Sequence, residues 1–526
     1  MDWTVAASIT LGAIGSLWWW LCLTWRKKEI KRIWSPTSKG VKLPKGSMGW
    51  PLIGETLDFI ACGCNSNHLR FMQKRRNMYG KLFRSNIFGQ PIIVSTDAEV
   101  NKVVLQNDHR TFAPFYPKSI TELLGKSSIL QMNGDFHKRM HGLVGGFLKS
   151  PSLKERVTED FANCVKRSVE EWKSKQHILI QDETKQITFE VLVRVLLGIG
   201  PGKEMQFLQR EFGDFIKGLI CLPVKFPGTT LHKSLKAKER MLKLIKKIIE
   251  DKISHRESQT TTDVADVADV ADVLIREMSC SGGQVTLTID AICENIIELM
   301  IPGEESVPTL MTLAIKYLSE SPSALEHLLE ENMELKGKKK KLGESYAWTD
   351  YMSLPFTQNV SRSCYYFRCR CLFSELQLFK IIELTCELQV INETLRMANI
   401  INAVWRKALK DVEVKEHLIP KGWCVLLSFN MVHLDEKNYN DPLQFDPWRW
   451  QLSTGQTKGA IPSNFTPFGG GQRLCPGMEF SKLEVAIFLH HFVTSLSWVA
   501  EEDTIITFPT VKMKKRLPAT VSPIST

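Results

Sequence analysis

The pattern of hydrophobic and polar positions predicts a mainly helical chain with a small amount of sheet. Residues 80–96 alternate between apolar and polar side chains, with Gly80 and Gly89 as turn points, so this stretch predicts a β-hairpin. Helical periodicity dominates the remaining sequence, and residues 235–253 form a strongly amphipathic helix pattern with a basic outer face. The Asp-Val-Ala repeat at 263–273 has a period of three, which suits neither a sheet nor a stable helical stripe. We therefore predict a loop expansion there.

The N-terminal segment has the pattern of a membrane anchor. Residues 3–25 contain no charged side chain, and a basic run at 26–32 follows directly. That length is enough to cross a bilayer as a helix, and the basic flank places the rest of the chain in the cytosol. A cleaved signal peptide is the alternative, but tryptophans occupy positions 18–20, where small cleavage-site residues would lie. We predict a single-pass anchor at 3–25, a basic, proline-containing linker at 26–50 and a cytosolic domain at 51–526.

Composition narrows the class of partner. The chain has 526 residues, of which 43% are hydrophobic and 24% charged, as in large globular proteins. A formal net charge of +11 suits a nucleic acid, an anionic membrane or an acidic partner protein. The sequence contains no nucleic-acid-binding motif, so we favour a membrane or a protein partner and expect no nucleic acid. The 13 cysteines lack regular spacing, which indicates reduced thiols rather than a disulfide framework.

The strongest chemical signal is the stretch FGGGQRLCPG, from Phe468 to Gly477. Its consecutive glycines allow an irregular turn and a close approach to a flat ligand. Cys475 comes just before a helical pattern, and the dipole and free N–H groups of a helix N-terminus favour a thiolate. A buried structural cysteine after a glycine-rich loop is the alternative. The pattern Phe-x-x-Gly-x-Arg-x-Cys-x-Gly fixes five positions at once, which makes the signal specific.

This motif resembles that of the cytochrome P450 superfamily, the haem-thiolate monooxygenases. The resemblance implies haem b as cofactor, with Cys475 as the axial ligand of the iron. It also implies that Arg473 pairs with a haem propionate, that Phe468 shields the sulfur, and that Gly471 and Gly477 belong to the cofactor-binding loop. The expected fold is a single large, mainly α haem-thiolate monooxygenase domain with small β-sheets, joined to an N-terminal transmembrane helix.

A second match involves three charged residues far from the cysteine. Glu393 and Arg396 of ETLR share one helix face, and the family joins this pair to an arginine of a Phe-x-Pro-x-Arg segment, here Arg449. In isolation the pair would be an ordinary surface ion pair of little value. The resemblance implies instead that Glu393, Arg396 and Arg449 form a structural lock.

Two further positions concern the haem propionates. Arg406 lies where the family usually places another propionate-binding cation. The family's Trp-x-x-x-Arg is replaced here by GDFHKRMHG, in which His137 and His141 could donate hydrogen bonds and Lys138 and Arg139 are competing cations. Of these four residues, we predict His137 as the one that contacts a haem propionate.

The segment LMIPGEESVP interrupts a long apolar helical pattern. The family usually has Ala/Gly-Gly-x-Asp/Glu-Thr there, so the resemblance implies that Glu305 and Ser306 are the acid and alcohol that deliver protons during oxygen activation. Pro302 and Gly303 loosen the helix ladder and leave room for oxygen and water. A simple kink over solvent is the alternative, and Pro302 departs from the family pattern.

The resemblance extends along nearly the whole chain after the anchor to the plant brassinosteroid branch, most closely to the enzymes that hydroxylate C-23 of the steroid side chain. It implies a sterol substrate, O2, and electrons from an NADPH-dependent reductase at the endoplasmic reticulum membrane. A C-22 hydroxylase or another oxidase of the pathway is the alternative, and a haem-thiolate isomerase or dehydratase is a rival. By family position the sterol pocket is walled by apolar residues. These lie at 112–130, 215–223, 299, 398–403 and 508–511.

Residues 360–389 interrupt the family spacing between SLPFTQN and VINETLRM. The segment begins with valine and ends with glutamine, as an unspliced intron read in frame would, so we interpret it as a retained intron. Its cysteines at 364, 369, 371 and 386 lack zinc-site spacing. If translated, 374–396 predicts a helix and 360–373 an irregular stretch, and a non-catalytic haem-binding isoform is a further alternative.

Overall fold

The computed structural model describes residues 42–50, 53–65, 67, 69–125, 127–258, 268–280, 287–354, 390–450 and 464–524, with isolated positions between 12 and 24. The chain divides into two compact units, Met1–Phe115 with Ala403–Val432, and Tyr116–Asn402 with His433–Thr526. Most of the predicted anchor at 3–25 and all of 360–389 lie outside the described residues. Within the described part, no helix is both long enough and apolar enough to span a membrane.

Helices dominate the described residues, which confirms the prediction of a mainly helical fold. The α-helices are α1 (Thr56–Gly63), α2 (Arg70–Tyr79), α3 (Ala98–Gln106), α4 (Lys118–Leu124), α5 (Gly134–Leu148), α6 (Pro151–Ser174), α7 (Ile180–Leu197), α8 (Lys203–Ile216), α9 (Thr230–Ser258), α10 (Val270–Cys280), α11 (Ile289–Leu299), α12 (Val307–Ser319), α13 (Pro322–Leu342), α14 (Trp348–Met352), α15 (Val390–Ala398), α16 (Asn430–His433) and α17 (Met478–Val493). A π-helix spans Pro302–Ser306, and 3-10 turns span Pro447–Trp450 and Gly471–Arg473.

The strands are short and form small sheets, as predicted. They are β1 (Leu82–Ile87), β2 (Gln90–Ser95), β3 (Phe112–Pro114), β4 (His177–Leu179), β5 (Ala403–Ala408), β6 (Val412–Val414), β7 (His417–Ile419), β8 (Cys424–Ser428), β9 (Leu496–Ala500), β10 (Ile505–Ile506), β11 (Lys512–Met513) and β12 (Pro518–Pro523). The second unit holds a sheet of order β4-β12-β9 and the pair β10-β11.

The first unit is built on a five-stranded sheet of order β1-β2-β8-β5-β3, with β6 and β7 as a separate hairpin. The predicted hairpin is confirmed as β1 and β2, whose register runs from Leu82 opposite Ser95 to Ile87 opposite Gln90. Its turn residues Phe88 and Gly89 have φ of 54° and 72°, the positive values that a two-residue hairpin turn requires. Successive side chains of β2 enter two separate apolar clusters, because alternate residues of a strand face opposite sides.

The described residues of the second unit form a large apolar core, to which α7, α12 and α17 contribute at least half of their residues. Local signals set where its helices begin. The Ser150 side chain accepts from Leu153 N ahead of Pro151 in α6, and the Thr288 side chain accepts from Ala291 N at the start of α11. The amphipathic pattern at 235–253 is confirmed within α9.

We predicted a loop for residues 263–273. This prediction is wrong for residues 270–273, which lie in a helix. Val270 begins α10, and Asp269 Oδ1 accepts from Asp272 N at 2.9 Å as a helix cap. Lys252 Nζ of α9 lies 2.5 Å from Asp269 Oδ2 and 3.5 Å from Asp272 Oδ1. The repeat thus supplies the helix cap and two carboxylates that pair with Lys252 of α9. This tertiary pairing stabilises a helix that the three-residue period of the repeat does not favour.

Candidate active site

A long helix of the second unit changes its hydrogen-bond pattern halfway along. α11 ends at Leu299, the π-helix Pro302–Ser306 follows, and α12 continues to Ser319. Pro302 has no N–H to donate into the helix ladder, and the N–H of Val307 donates to Pro302 O across the wider π spacing. The predicted loosening of the ladder at Pro302 and Gly303 is therefore confirmed.

Two acidic side chains of the π-helix share a lysine of α7. Lys185 Nζ lies 3.1 Å from Glu304 Oε1 and 3.3 Å from Glu305 Oε1. Glu305 Oε2 also accepts a hydrogen bond from Thr510 Oγ1 at 2.9 Å. Burial alone would lower the pKa of Lys185, but Glu305 and Glu304 raise it above its ordinary value, so the lysine stays charged. Burial raises the pKa of Glu304, although Lys185 opposes this. The predicted acid Glu305 is thus oriented by donors from two other elements, and Ser306 follows it as the last residue of the π-helix.

Gly303 has a packing role that the sequence did not indicate. A Cβ built on Gly303 would lie 2.6 Å from Leu192 Cδ2 and 3.3 Å from Thr188 O. The Thr188 hydroxyl donates to Gly303 O at 2.5 Å. The space left by the missing side chain is therefore taken up by α7, which approaches the π-helix closely at this point.

We expect Gly303→Ala to destabilise the protein by about 1–3 kcal/mol, because the methyl group would force α7 and the π-helix apart. The matched control is Gly337→Ala in α13, where a Cβ would meet nothing within 4 Å. Removing that glycine should stabilise the helix by about 0.5–1 kcal/mol. Urea denaturation of both variants measures the difference. Equal midpoints would contradict the packing role of Gly303.

The loop that carries the cysteine is closed by its own backbone. Cys475 N donates to Phe468 O at 3.1 Å, and Gly469 and Gly471 have φ of 76° and 67°, a conformation that favours glycine. Phe468 packs against the main core of the second unit. Cys475 precedes α17, whose N-cap is Gly477. The residues predicted from the motif therefore lie on one compact loop, which we name the Cys loop (Phe468–Gly477).

The protein environment does not by itself favour the thiolate, in contrast to our expectation. Burial raises the pKa of the Cys475 thiol, whereas the backbone N–H of Gly477 lowers it. The helix terminus acts in the predicted direction but is outweighed by desolvation. Coordination to a metal cation would reverse this balance, because a coordinating thiol is deprotonated.

His137, His141 and Gly145 lie one helical turn apart on the same face of α5. His141 Nε2 lies 2.7 Å from Leu474 O, and a Cβ on Gly145 would lie 3.4 Å from Pro476 Cβ. His137 is buried one turn earlier, with its ring centroid 5.5 Å from that of His141. Among the candidates of GDFHKRMHG, His141 is thus seen to contact the Cys loop, and the propionate role of His137 stays a prediction.

The predicted lock is present in the second unit, and it is larger than predicted. Glu393 accepts from Arg396 Nε at 2.9 Å, from Arg449 Nε at 2.8 Å and from Trp450 Nε1 at 3.0 Å. Arg396 also donates to the carbonyl oxygens of His433 and Pro442 at 2.9 and 2.8 Å. The side chains of Glu393 and Arg396 are completely buried. The structure adds Trp450 to the three residues that the sequence indicated.

Arg406 belongs to the first unit. Its Nε lies 3.8 Å from Asp108 Oδ1, and its Nη1 donates to Trp405 O at 2.9 Å. The side chain is buried on β5. Its predicted contact with a haem propionate stays a prediction.

Sequence reasoning missed several polar residues of the second unit. Lys185 and Thr510 are 120 and 205 residues away from Glu305 along the chain, so no local pattern links them. Asn295 and Glu298 of α11 both hold the segment that precedes α5. Their spacing of three within an apolar helix was an available signal, because polar residues on a buried face need partners.

Comparisons with known proteins identify the family of this chain. The family profile described as Cytochrome P450 matches residues 44–362 and 377–520. The chain is 54% identical to 3-epi-6-deoxocathasterone 23-monooxygenase CYP90C1 of Arabidopsis thaliana, with 100% of this chain and 94% of the relative covered. It is 48% identical to 3-epi-6-deoxocathasterone 23-monooxygenase CYP90D1 of the same plant, with 91% and 90% covered.

A solved structure supports the fold. The retinoic acid bound cyanobacterial CYP120A1 superimposes with a TM-score of 0.72 at 21% identity, covering 92% of this chain and 100% of that one. At this identity the likeness concerns the fold alone. Together with the family profile and the full-length similarity to plant relatives, it shows that the chain belongs to the cytochrome P450 family.

Proposed function

We propose that this protein hydroxylates C-23 of a 22-hydroxylated brassinosteroid precursor. The observation that carries the proposal is the similarity over the whole chain to a relative named for 23-monooxygenation of a steroid. A second relative with the same activity in its name supports it. The Cys loop, the π-helix and the buried lock also support it, because they hold the residues that the family resemblance assigns to haem binding, proton delivery and structure.

The residues around Cys475 fit the haem that the family implies. Among the described residues no cluster of three or more His, Cys, Asp or Glu side chains could hold a metal, so a metal at Cys475 would take its other ligands from a non-protein group. Haem iron is held in this way by a single thiolate. A Cβ on Gly477 would meet nothing within 4 Å, so the loop leaves space beside the cysteine. Cys475 would hold the iron, Arg473 would pair with a propionate, and the bound haem would supply activation of O2.

Glu305 and Ser306 are the proposed proton donors of the site. Lys185 and Thr510 hold both carboxylate oxygens of Glu305, so its position does not depend on flexible rotamers. A positioned carboxyl group beside a hydroxyl can pass a proton in small steps. Lys185 Nζ lies 3.3 Å from Glu305 Oε1 and so places a positive charge beside this carboxyl group.

We expect Glu305→Gln to lower turnover by about 100-fold or more, with little change in KM, because it removes an acid and leaves the size of the site unchanged. The product formed per NADPH consumed should fall as well. Glu304→Gln is the matched control, since Glu304 shares Lys185 but makes no contact with Thr510. Steady-state kinetics of both variants test the assignment. Equal losses in the two variants would show a general effect of the lysine pair instead.

Electrons would come from an NADPH-dependent reductase. A monooxygenase of this family needs such a partner together with O2 and the organic substrate. We propose that the basic surface implied by the +11 net charge favours an acidic reductase surface, and that residues 3–25 anchor the protein in the endoplasmic reticulum membrane with its catalytic domain in the cytosol. The apolar residues at 112–130, 215–223, 299, 398–403 and 508–511 are proposed to contact the sterol.

Turnover of 22-hydroxylated sterols with a reductase tests the function. Mass spectrometry of the product should place the new hydroxyl at C-23. A hydroxyl at another carbon would favour a different oxidase of the pathway, and turnover without NADPH would favour an isomerase or dehydratase.

The same assay should be run with and without residues 360–389. The family profile is interrupted at 363–376, within this segment, which favours the proposal that the segment is a retained intron. We expect protein lacking the segment to be the active form. Transcripts that routinely contain it, together with equal activity of both forms, would contradict the proposal, and haem binding without turnover in the long form would identify a non-catalytic isoform.

A further inference from the structure

Two polar side chains of α11 hold a segment between α4 and α5, which we name the clamp segment (residues 127–133). Asn295 Nδ2 donates to Ser127 O at 2.8 Å, and Asn295 Oδ1 accepts from Ile129 N at 2.9 Å. Three residues further along the same helix, Glu298 Oε1 accepts from Leu130 N at 3.0 Å. One helix face therefore satisfies the backbone of consecutive residues in an irregular stretch.

The Cys loop holds the clamp segment from its other end. Arg473 Nη1 donates to Leu130 O at 3.3 Å, and Arg473 Nη2 donates to Met132 O at 2.5 Å and to Asn133 Oδ1 at 3.1 Å. Leu130 is thus bound through its N–H to α11 and through its carbonyl to the Cys loop. A displacement of the clamp segment away from α11 would also disturb Arg473, the proposed propionate partner.

Glu298 is an unusual choice for this position. Its side chain is 5% exposed, and Glu298 Oε2 has no hydrogen-bond partner. The buried Ser128 hydroxyl faces the same carboxyl group. Glu298 Oε2 is buried and out of contact with solvent. An apolar or amide side chain would cost less to bury here than an ionised carboxylate.

The charges around Glu298 do not compensate for its burial. Burial raises the pKa of Glu298 to about 7, against the lowering effects of Ser128 and of the N–H groups of Leu130 and Ile129. Glu294, one turn earlier, raises it further. The positive charge nearest to Glu294 is Lys238 of α9, whose Nζ lies 2.8 Å from Glu294 Oε1 and which also donates to Leu124 O. Glu294 therefore acts on Glu298 as a like charge from the preceding turn of α11.

We propose that Glu298 is a positioning residue that holds the clamp segment on α11 when its carboxyl group is protonated, and that loss of this proton loosens the segment. The inference rests on the proposed function, since residues 127–130 lie within the proposed wall of the sterol site. It gives the site a response to pH that originates outside the proton-delivery residues Glu305 and Ser306.

The sign follows from the two states of the segment. Glu298 in the docked segment has a pKa of about 7, and an exposed glutamate in the released segment has a value near 4.5. Between these values the docked state binds more protons, so docking is strongest at low pH and weakens as the pH rises. The equilibrium constant for docking of the clamp segment should fall by about tenfold per pH unit within this window and level off above about pH 7.

Hydrogen–deuterium exchange of the full-length protein tests the proposal. Protection of the amides in residues 127–133, corrected for the intrinsic pH dependence of exchange, should fall about tenfold per unit between about pH 5 and pH 7. Glu298→Gln should keep the segment protected and remove the slope, because the amide oxygen still accepts from Leu130 N. Asn295→Ala should lower protection at every pH and leave the slope unchanged.

Asp290→Asn is the matched control, because Asp290 lies on the same helix with a side chain that is 79% exposed. It should reproduce the unmodified profile. A flat profile in the unmodified protein overturns the proposal even if Glu298→Gln does not fold, and a slope that persists in Glu298→Gln overturns it as well. Because exchange is read without turnover, these outcomes are separate from a failure of the C-23 hydroxylase assignment, which the product assay alone decides.

Discussion

Cys475→Ala should abolish both sterol hydroxylation and the thiolate-type reduced carbon monoxide difference spectrum, while the helical fold remains. Cys475 is the cysteine of the Cys loop, and its sulfur is the proposed ligand of the haem iron. Alanine removes that ligand and deletes a single atom, which costs the fold little compared with a large core truncation. The carbon monoxide spectrum, circular dichroism and turnover of the same preparation measure the three effects.

Cys293→Ala in α11 is the control for loss of a buried thiol. Cys293 lies in the core of the second unit, and burial raises the pKa of its thiol to about 12, so it stays an inert thiol. This variant should keep the thiolate spectrum and its activity. A thiolate spectrum that survives in Cys475→Ala would show that another sulfur binds the iron.

Glu393→Gln should lower the free energy of unfolding by about 3–5 kcal/mol, because it leaves buried guanidinium groups without their counter-charge. Glu393 and Arg396 have no exposed side-chain surface, and the side chain of Arg449 is 10% exposed. Glutamine keeps the shape and can still accept one or two hydrogen bonds, so the charge is the main quantity changed. Urea denaturation, monitored by circular dichroism, measures the loss.

Glu320→Gln is the matched control for this prediction. Glu320, the C-cap residue of α12, pairs with Lys316 at 2.5 Å, but its side chain is 60% exposed. An exposed pair of this kind contributes less than about 1 kcal/mol, so the midpoint should hardly move. Similar losses in Glu393→Gln and Glu320→Gln would contradict the view that burial gives the lock its value.

The elements that could be predicted from sequence are those whose cause is local. The β1–β2 hairpin follows from strand alternation and from a glycine at a turn position, and α9 follows from its amphipathic period. The Cys loop is recognisable because glycines, arginine and cysteine occupy fixed spacings within ten residues. The helix at 270–273 was missed because its stability comes from Lys252 of α9 rather than from its own repeat.

The candidate site could be predicted only in part, for a similar reason. The motif residues Glu393, Arg396 and Arg449 do meet, although they come from two separate segments, because a family resemblance supplied the pairing. Trp450, which is adjacent to Arg449, was not expected, since a tryptophan beside an arginine has no fixed partner in sequence. The roles of Lys185 and Thr510 toward Glu305 depend on packing between helices far apart in the chain.

By itself, the sequence determined the chemistry that this protein can carry. It placed one thiol after a glycine-rich turn and before a helix, an acid and an alcohol beside a proline in a long helix, and an uncharged N-terminal stretch before a basic run. Each of these depends on neighbours within a few residues, where backbone geometry is decided by side-chain type.

Only the tertiary structure decided which polar groups lose contact with water and what then compensates them. It buried Glu298 against Leu130, raised the pKa of the Cys475 thiol and enclosed Glu393 among arginine and tryptophan donors. Desolvation and charge pairing act through space, over distances that sequence separation does not measure. The same side chains on a solvent-exposed helix would have ordinary pKa values and weak ion pairs.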